Sequence, residues 1–262
     1  MSAGLNFDAA TAQRIERVYE TRDAVRRRQA VLAALALAPG EHVIDIGAGP
    51  GFVAREMCEI VGPDGRIFGV DTSEPMLERA RERCSAWPRA EFELANATSL
   101  PVENGGFDAA VSVQVFEYVA NVEAALAEMY RALRPGGRAV VVSTDWDSIL
   151  WHSEDKSRMS RVLAAFEEHC AYSDLPRTLG PKLRRAGFEL RAQSVVTQFN
   201  AGCDPDTYSH HLIRLISSFV AGRKGVTADE ADEWARELRE LDERGEYFFC
   251  LNQFVTVVAK QS

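Results

Sequence analysis

The sequence VIDIGAGPG at residues 43–51 is the strongest indicator of how this chain folds. Its apolar start predicts a buried strand that runs directly into a glycine-rich turn, and Pro50 favours a helix that opens just after the turn. Glycine has no Cβ, so the backbone of such a turn can pass close beneath a ligand. A turn between a strand and a helix places that ligand over the carboxyl end of a parallel sheet.

The glycine spacing separates two classes of nucleotide-binding turn. Gly47, Gly49 and Gly51 follow a G-x-G-x-G pattern. Phe52 stands where a dinucleotide-binding G-x-G-x-x-G turn has its third glycine. A NAD-dependent reductase would also show a catalytic Tyr-x-x-x-Lys pair or its equivalent, and the sequence has none. The turn therefore argues against a NAD-dependent reductase.

An acidic residue ends the next predicted strand. Residues 66–71 read RIFGVD, and Asp71 follows the glycines by about one βαβ step. A carboxylate at this strand tip can accept hydrogen bonds from both hydroxyls of a ribose. The alternative is that Asp71 caps the next helix, because residues 72–75 (TSEP) are typical of a helix start. Both roles are compatible.

Composition and charge restrict the class of protein. The chain has 262 residues, 46% of them apolar and 26% charged, which suits one globular domain with an elaboration. No apolar run is long enough to span a membrane, residues 1–8 lack a signal-peptide core, and five scattered cysteines indicate reduced thiols. We therefore expect a cytoplasmic protein with no membrane partner. The net charge of -9 argues against a nucleic-acid partner.

Strands and helices alternate along most of the chain. Apolar runs predict strands at residues 43–46, 66–71, 91–94, 107–113, 139–143, 188–199 and 247–258. Helical patterns lie between the first five, at residues 52–61, 74–84 and 122–133. The alternation predicts an α/β fold, a doubly wound, Rossmann-like, seven-stranded and mostly parallel sheet with helices on both faces.

Helical segments surround this predicted core, which spans residues 41–200 and 246–262. A first helix is predicted over residues 10–37, and it carries a basic cluster that is either a solvated face or lies near an anionic ligand group. The cluster consists of Arg22, Arg26, Arg27 and Arg28. Further helices are predicted at residues 156–170, 181–186 and 205–219, and from Thr227, which forms a capping-box pattern with Glu230. We expect the segments 145–175 and 203–245 to form a helical cap, inserted before the last strand, that builds a substrate pocket.

Four motifs follow one another along the chain: the glycine turn, Gly69-Val70-Asp71, Leu100-Pro101 with Gly106-Phe107-Asp108, and EMYRALRPGG at residues 128–137. In this order they resemble the class I methyltransferases that depend on S-adenosylmethionine (SAM). The resemblance is strongest to the small-molecule branch that includes the ubiquinone and menaquinone C-methyltransferases, the methyltransferase type 11-like enzymes, and it covers residues 41–143. The resemblance implies SAM as cofactor, no metal, and an N-terminal segment, residues 1–40, that lies over the cofactor site.

The resemblance also implies a set of cofactor-binding residues. They are Asp45, Gly47, Gly49, Gly51, Asp71, Thr72, Met76, Asn96, Ala97 and Gln114, with Tyr19 and Arg28 from the N-terminal segment. Asn96 departs from the family, which has an acid there to accept from the adenine amino group. An amide oxygen can also accept that bond, and the alternative is that Asn96 is a plain turn residue.

The acceptor side of the site is expected where the fourth and fifth strands end. The predicted substrate-pocket residues are Phe116, Tyr118, Trp146, Trp151 and Tyr208, with ordinary packing of the cap as the alternative. His152 and Glu117 are the candidate general bases, needed only if the acceptor is a hydroxyl or a protonated amine. The partner is then a small molecule, and the chain a monomer or a homodimer.

Three other functions share part of this pattern. A methyltransferase for nucleic acids or protein amides would show Asn or Asp, two prolines and an aromatic residue after the fourth strand, where this chain reads VQVFEY at residues 113–118. An arsenite methyltransferase-like enzyme needs clustered thiols, which the dispersed cysteines neither show nor exclude. A SAM-binding scaffold or sensor without turnover would share every motif named above.

Overall fold

A computed structural model describes residues 16–261, and within them seven strands form one sheet. The strands are β1 (His42–Ile46), β2 (Arg66–Asp71), β3 (Ala90–Leu94), β4 (Phe107–Val113), β5 (Leu133–Trp151), β6 (Phe188–Asn200) and β7 (Phe249–Lys260). Their order is β3-β2-β1-β4-β5-β7-β6. The first five strands are parallel, and β7 runs antiparallel to both of its neighbours. This architecture confirms the predicted fold class.

Helices cover both faces of the sheet. They are α1 (Arg22–Leu35), α2 (Phe52–Val61), α3 (Glu74–Arg83), α4 (Val122–Ala132), α5 (Lys156–Phe166), α6 (Leu175–Arg185), α7 (Tyr208–Val220) and α8 (Ala228–Glu243). Side chains alternate along β1, so Val43 packs in the core beneath α1, α2 and α3, whereas Ile44 and Ile46 pack in the core beneath α4 and α6. The glycine turn that follows β1 is thus anchored in two separate cores.

A third core belongs to the cap. Helices α5, α7 and α8 bury their apolar faces against each other and against the far end of β5. Trp234 of α8 is completely buried there. The capping box predicted at the start of α8 is half formed. The Thr227 hydroxyl accepts from the backbone N–H of Glu230 at 3.1 Å, but the Glu230 carboxylate pairs with Arg161. The role of these cap helices in building a substrate pocket stays a prediction.

Two elements are longer than their local patterns predict. Strand β5 continues beyond Ser143 to Trp151, because β7 supplies hydrogen-bonding partners along its length, with an irregular register between Asp145 and Leu150. Helix α6 begins at Leu175, and Pro181 lies inside it. Leucines four residues apart are buried along one side of α6, so burial of that face favours the longer helix.

The predicted N-terminal helix is interrupted. Residues 10–15 lie outside the described residues, and residues 16–20 are helical. Thr21 has an extended backbone and its side chain accepts from the backbone N–H of Ala24, so it starts α1 as a separate helix. Helix α1 ends at Leu35, before the left-handed Ala36.

Candidate functional site

The glycine turn joins β1 to α2, and its three glycines serve different purposes. A Cβ on Gly47 would lie 2.2 Å from a methyl carbon of Val115, and a Cβ on Gly51 would lie 2.8 Å from Cα of Ala80. These two glycines therefore permit close packing of protein against protein. Gly49 has a φ of +52° and a Cβ there would meet no atom within 4 Å, so this glycine faces open space.

Asp71 is tied to the same turn. One carboxylate oxygen accepts from the backbone N–H of Gly49 at 2.9 Å, and the other accepts from the backbone N–H of Ser73 at 2.9 Å. Burial raises the pKa of Asp71, and the backbone N–H donors oppose that rise. The backbone N–H of Thr72 also stabilises this carboxylate, and since a carboxylate has about four acceptor positions, at least one remains for another donor.

A cavity of about 450 Å³ lies at the carboxyl ends of β1, β2 and β4, and we call it the loop cavity. Its volume is in the range of small-molecule and cofactor sites. The cavity brings together most of the predicted cofactor-binding residues, namely Tyr19, Gly47, Gly49, Asp71, Thr72, Met76, Asn96, Ala97 and Gln114. Tyr118, predicted for the substrate pocket, also lines it.

Asn96 has a local hydrogen-bonding role at the edge of the loop cavity. Its side-chain oxygen accepts from the backbone N–H of Thr98 at 3.0 Å and from the Thr98 hydroxyl at 2.9 Å. These contacts form a turn of the kind that asparagine commonly stabilises. The alternative of a plain turn residue accounts for these contacts, and a role in adenine binding stays a prediction.

Asp45 lies beneath the glycine turn, beside a small cavity of about 20 Å³ that Arg27, Arg28 and Gly47 also line. Only 2% of Asp45 is exposed, and its Oδ2 has no hydrogen-bond partner among the described residues. Burial, with the negative charge of Asp71, raises the pKa of Asp45 to about 7. A cationic group in this cavity would stabilise the ionised carboxylate.

The basic cluster of α1 divides into separate roles. Arg22 pairs with an exposed aspartate, whereas Arg28 donates to Glu56 at 2.7 Å and to the backbone carbonyl of Tyr19. Arg28 is therefore already paired, although it was predicted to reach the cofactor. Arg27, only 1% exposed, instead donates to the side chain of Gln114.

Arg27 is the member of the predicted basic cluster that contacts Gln114, a residue of the loop cavity. It shares the buried side of α1 with Ala24, Val31 and Leu35. Their helical spacing was readable in the sequence and would have separated Arg27 from the exposed Arg22 and Arg26.

Gln114 lies where the loop cavity meets a second cavity. It is a non-glycine residue with a φ of 56°, a strained conformation that clusters at functional sites. Its side-chain amide donates to the Thr144 hydroxyl at 2.8 Å and accepts from Arg27. Its orientation is therefore fixed from both sides.

The second cavity, of about 90 Å³, lies between the sheet and the cap, and we call it the cap cavity. Its lining residues are Val18, Tyr19, Gln114, Tyr118, Trp146, Phe166, His169, Tyr208, His211, Leu212 and Leu215. The predicted pocket residues Tyr118, Trp146 and Tyr208 are among them. Tyr19, Gln114 and Tyr118 line both cavities, so the two cavities are neighbours.

Three predicted acceptor-side residues lie elsewhere. Trp151 donates to the Tyr247 hydroxyl at 2.8 Å and packs in the cap core, because the extended β5 turns this side chain toward α8. Phe116 is fully buried in the core beneath α4. His152 is exposed, and its backbone N–H pairs with Phe248. None of the three lines the loop cavity or the cap cavity.

Glu117 is fully buried. One carboxylate oxygen accepts from the backbone N–H of Thr144 at 3.1 Å, and the other has no hydrogen-bond partner among residues 16–261. Burial raises the pKa of Glu117 to about 7, although the charge of Arg27 opposes this. Its candidate role as a base stays a prediction, since Glu117 is not among the lining residues of either cavity.

Two absences characterise residues 16–261. No helix in this part of the chain is both long and apolar enough to cross a membrane. No cluster of three or more His, Cys, Asp or Glu side chains is arranged there to hold a metal ion.

Comparison with known sequences places the glycine turn in a recognised domain. A methyltransferase domain family matches residues 43–137. A 37.1 kDa protein in transposon TN4556 of Streptomyces fradiae is 40% identical over 150 residues, covering 56% of this chain and 44% of that protein. A demethylmenaquinone methyltransferase of Symbiobacterium thermophilum is 38% identical over 105 residues, covering 39% of this chain and 42% of that enzyme. The chain thus spans less than half the length of either relative.

Solved structures share the fold. Phosphoethanolamine N-methyltransferase 2 of Haemonchus contortus, in complex with SAM, has a TM-score of 0.63 at 16% identity over 98% of this chain and 58% of that chain. Geranyl diphosphate methyltransferase, in complex with GPP and sinefungin, has a TM-score of 0.57 at 20% identity over 90% of this chain and 78% of that chain. Residues 43–137 of this chain thus match a methyltransferase domain, and its sheet has the fold of the methyltransferase structures to which it is similar.

Proposed function

We propose that this chain binds SAM in the loop cavity and transfers its methyl group to a small molecule in the cap cavity. The loop cavity carries the proposal. It combines an open glycine turn, a strand-end carboxylate with an unused acceptor position and a nucleoside-sized space, in a chain whose residues 43–137 match a methyltransferase domain. This combination fits the adenosine and the amino acid of one ligand.

The residues present fit the parts of SAM. Asp71 would accept from the ribose hydroxyls, and the backbone at Gly49 leaves room for the methionine portion. The free carboxylate oxygen of Asp45 suits the ammonium group of an amino acid. Asn96 and Ala97 line the part of the cavity expected to hold adenine.

Orientation and exclusion of water are the main tasks left to the protein. When bound, SAM supplies an electrophilic methyl group on its sulfonium. Holding two reactants in line can contribute about 7–11 kcal/mol to lowering a barrier. The apolar side chains of the cap cavity exclude water from the side on which an acceptor would lie, and the fixed amide of Gln114 stands between the two cavities.

The cap cavity favours a small acceptor that is mainly apolar or aromatic. Trp146, Phe166 and Tyr208 supply aromatic walls, and Leu212 and Leu215 supply aliphatic ones. A cavity of about 90 Å³ holds the reacting end of an acceptor and not a polymer. The described residues offer no cluster of three thiols for arsenite, and we do not propose arsenite as the acceptor.

Mass spectrometry tests the function because it detects a methylated product of any structure. A cell extract is incubated with the protein and methyl-labelled SAM, and small molecules are searched for the label. We expect at least one labelled product, absent when a Gly49→Val variant replaces the wild type. SAM binding without any labelled product would favour the scaffold or sensor, and absence of SAM binding would contradict the proposal altogether.

A further inference from the structure

We infer that His169 is a recognition residue of the cap cavity, whose Nε2 accepts a hydrogen bond from a neutral ring-shaped molecule with a donor group, such as a phenol hydroxyl. The inference rests on the proposed function insofar as this molecule is the methyl acceptor. It assigns a polar contact to a cavity that is otherwise mainly apolar.

The hydrogen-bonding state of the imidazole follows from one contact. Nδ1 of His169 lies 2.6 Å from the backbone carbonyl oxygen of Phe166. A carbonyl oxygen only accepts hydrogen bonds, so Nδ1 must carry the hydrogen. Burial lowers the pKa of His169 to about 4, which keeps the ring neutral near pH 7. Nε2 therefore presents a lone pair.

That lone pair is buried and has no partner within residues 16–261. Only 1% of His169 is exposed, and a buried polar atom without a hydrogen bond is costly. The ring is also held in place, because it stacks on Phe166 with centroids 3.9 Å apart and an interplanar angle of 4°. Trp146 contacts it edge-on, with centroids 4.7 Å apart. A donor that reaches Nε2 would meet a rigid acceptor.

The lining of the cap cavity has no charged side chain among its described residues. None of them is Asp, Glu, Lys or Arg, so a charged ligand would find no ion-pair partner in this lining. The amide of Gln114 is already engaged by Arg27 and Thr144. Nε2 of His169 is thus a buried acceptor of this lining without a partner among residues 16–261, and a neutral donor is a group that suits it.

A pair of matched probes tests this contact. Phenol and toluene have similar shapes, but only phenol carries a donor. Each is titrated by NMR into the protein, with and without S-adenosylhomocysteine. We expect His169→Phe, which keeps an aromatic ring against Phe166, to lower the phenol-to-toluene affinity ratio about threefold to tenfold, the value of one hydrogen bond. His169→Gln, whose amide oxygen can accept, should restore part of that ratio.

The control and the spectroscopic readout separate recognition from structure. His152 is exposed and lines neither cavity, so His152→Phe should leave the ratio nearly unchanged. In the wild type, phenol but not toluene should shift the Nε2 resonance of His169. An unchanged ratio in His169→Phe, an unmoved Nε2 resonance, or failure of phenol to bind would overturn the inference. Loss of S-adenosylhomocysteine binding, measured in the same samples, would instead contradict the proposed cofactor.

Discussion

Two halves of the molecule differ in how closely each follows its own sequence pattern. The family-matched half contains strands β1 to β4, and the cap-side half contains β5 to β7 with helix α6. In the first half, β2 and β4 begin and end at their predicted residues. In the second half, β5 runs to Trp151 although its apolar run ends at Ser143, and α6 starts before its predicted proline. The difference shows where local signals suffice and where distant partners set the limits of an element.

The physical cause lies in what bounds each element. Strands β2 and β4 are apolar runs bounded by turn residues, so neighbouring residues in the sequence set their ends. The extension of β5 depends on β7, which lies about a hundred residues further along the chain. The cap core similarly joins α5, α7 and α8 around Trp234. We therefore expect cofactor binding to depend on the first half and stability of the cap to depend on the second.

The largest expected effect is on cofactor binding by the glycine turn. Gly49→Val should abolish measurable SAM binding, because its side chain would enter the loop cavity from a left-handed position. Gly40→Val is the matched control, since Gly40 also has a positive φ and an open Cβ direction but lies before β1, outside the loop cavity. Circular dichroism should show that both variants are folded. Calorimetry should detect SAM binding by Gly40→Val but not by Gly49→Val. Equal binding by both variants would remove the turn from the site.

The next effect concerns the cap alone. Trp151→Ala should lower the free energy of unfolding by about 3–5 kcal/mol, as expected for deletion of a buried tryptophan. It also removes the hydrogen bond that the indole N–H donates to the Tyr247 hydroxyl at 2.8 Å. Denaturant titration measures the loss, and SAM affinity of the folded variant should stay near that of the wild type. A large loss of SAM affinity without loss of stability would place Trp151 in the cofactor site.

A smaller effect is expected at the end of β2. Asp71→Asn should weaken SAM binding by about 1.5–3 kcal/mol, because the ribose hydroxyls lose a charged acceptor. Asp108→Asn is the control: Asp108 also accepts from a backbone N–H, that of His42, but at the opposite end of the sheet. Calorimetry on both variants should find the loss only at Asp71, and similar affinities would argue against the ribose assignment.

The smallest effect is a pH dependence at Asp45. Its pKa of about 7 implies that affinity for S-adenosylhomocysteine rises at most about tenfold between pH 6 and pH 8, because the ionised carboxylate attracts the ligand ammonium. The stability of the unliganded protein should change in the opposite direction and fall as pH rises. The folded pKa lies above the ordinary aspartate value of 3.8, so this group's contribution to stability is lost as pH rises toward 7. Asp45→Asn should flatten both profiles, and an unchanged profile would exclude Asp45 as their source.

Sequence reasoning reached further into the cofactor side of the site than into the acceptor side. The loop cavity contains Gly49, Asp71 and Gln114, which motifs identify because their spacing along βαβ units fixes where they lie. Trp151 was expected in the pocket because it follows the predicted end of the fifth strand. Since β5 extends as far as Trp151, this side chain lies in the cap core instead. Nothing local to His169 shows which carbonyl fixes its tautomer. That follows only from the turn after α5.

Binding of S-adenosylhomocysteine to the wild-type protein tests the central claim most directly. Isothermal titration calorimetry should give one site per chain, and a parallel titration with NADH should give no heat of binding. Loss of the S-adenosylhomocysteine signal in Gly49→Val, with its retention in Gly40→Val, would place that site at the glycine turn. Binding of NADH in place of S-adenosylhomocysteine, or binding of neither by the folded wild type, would contradict the assignment.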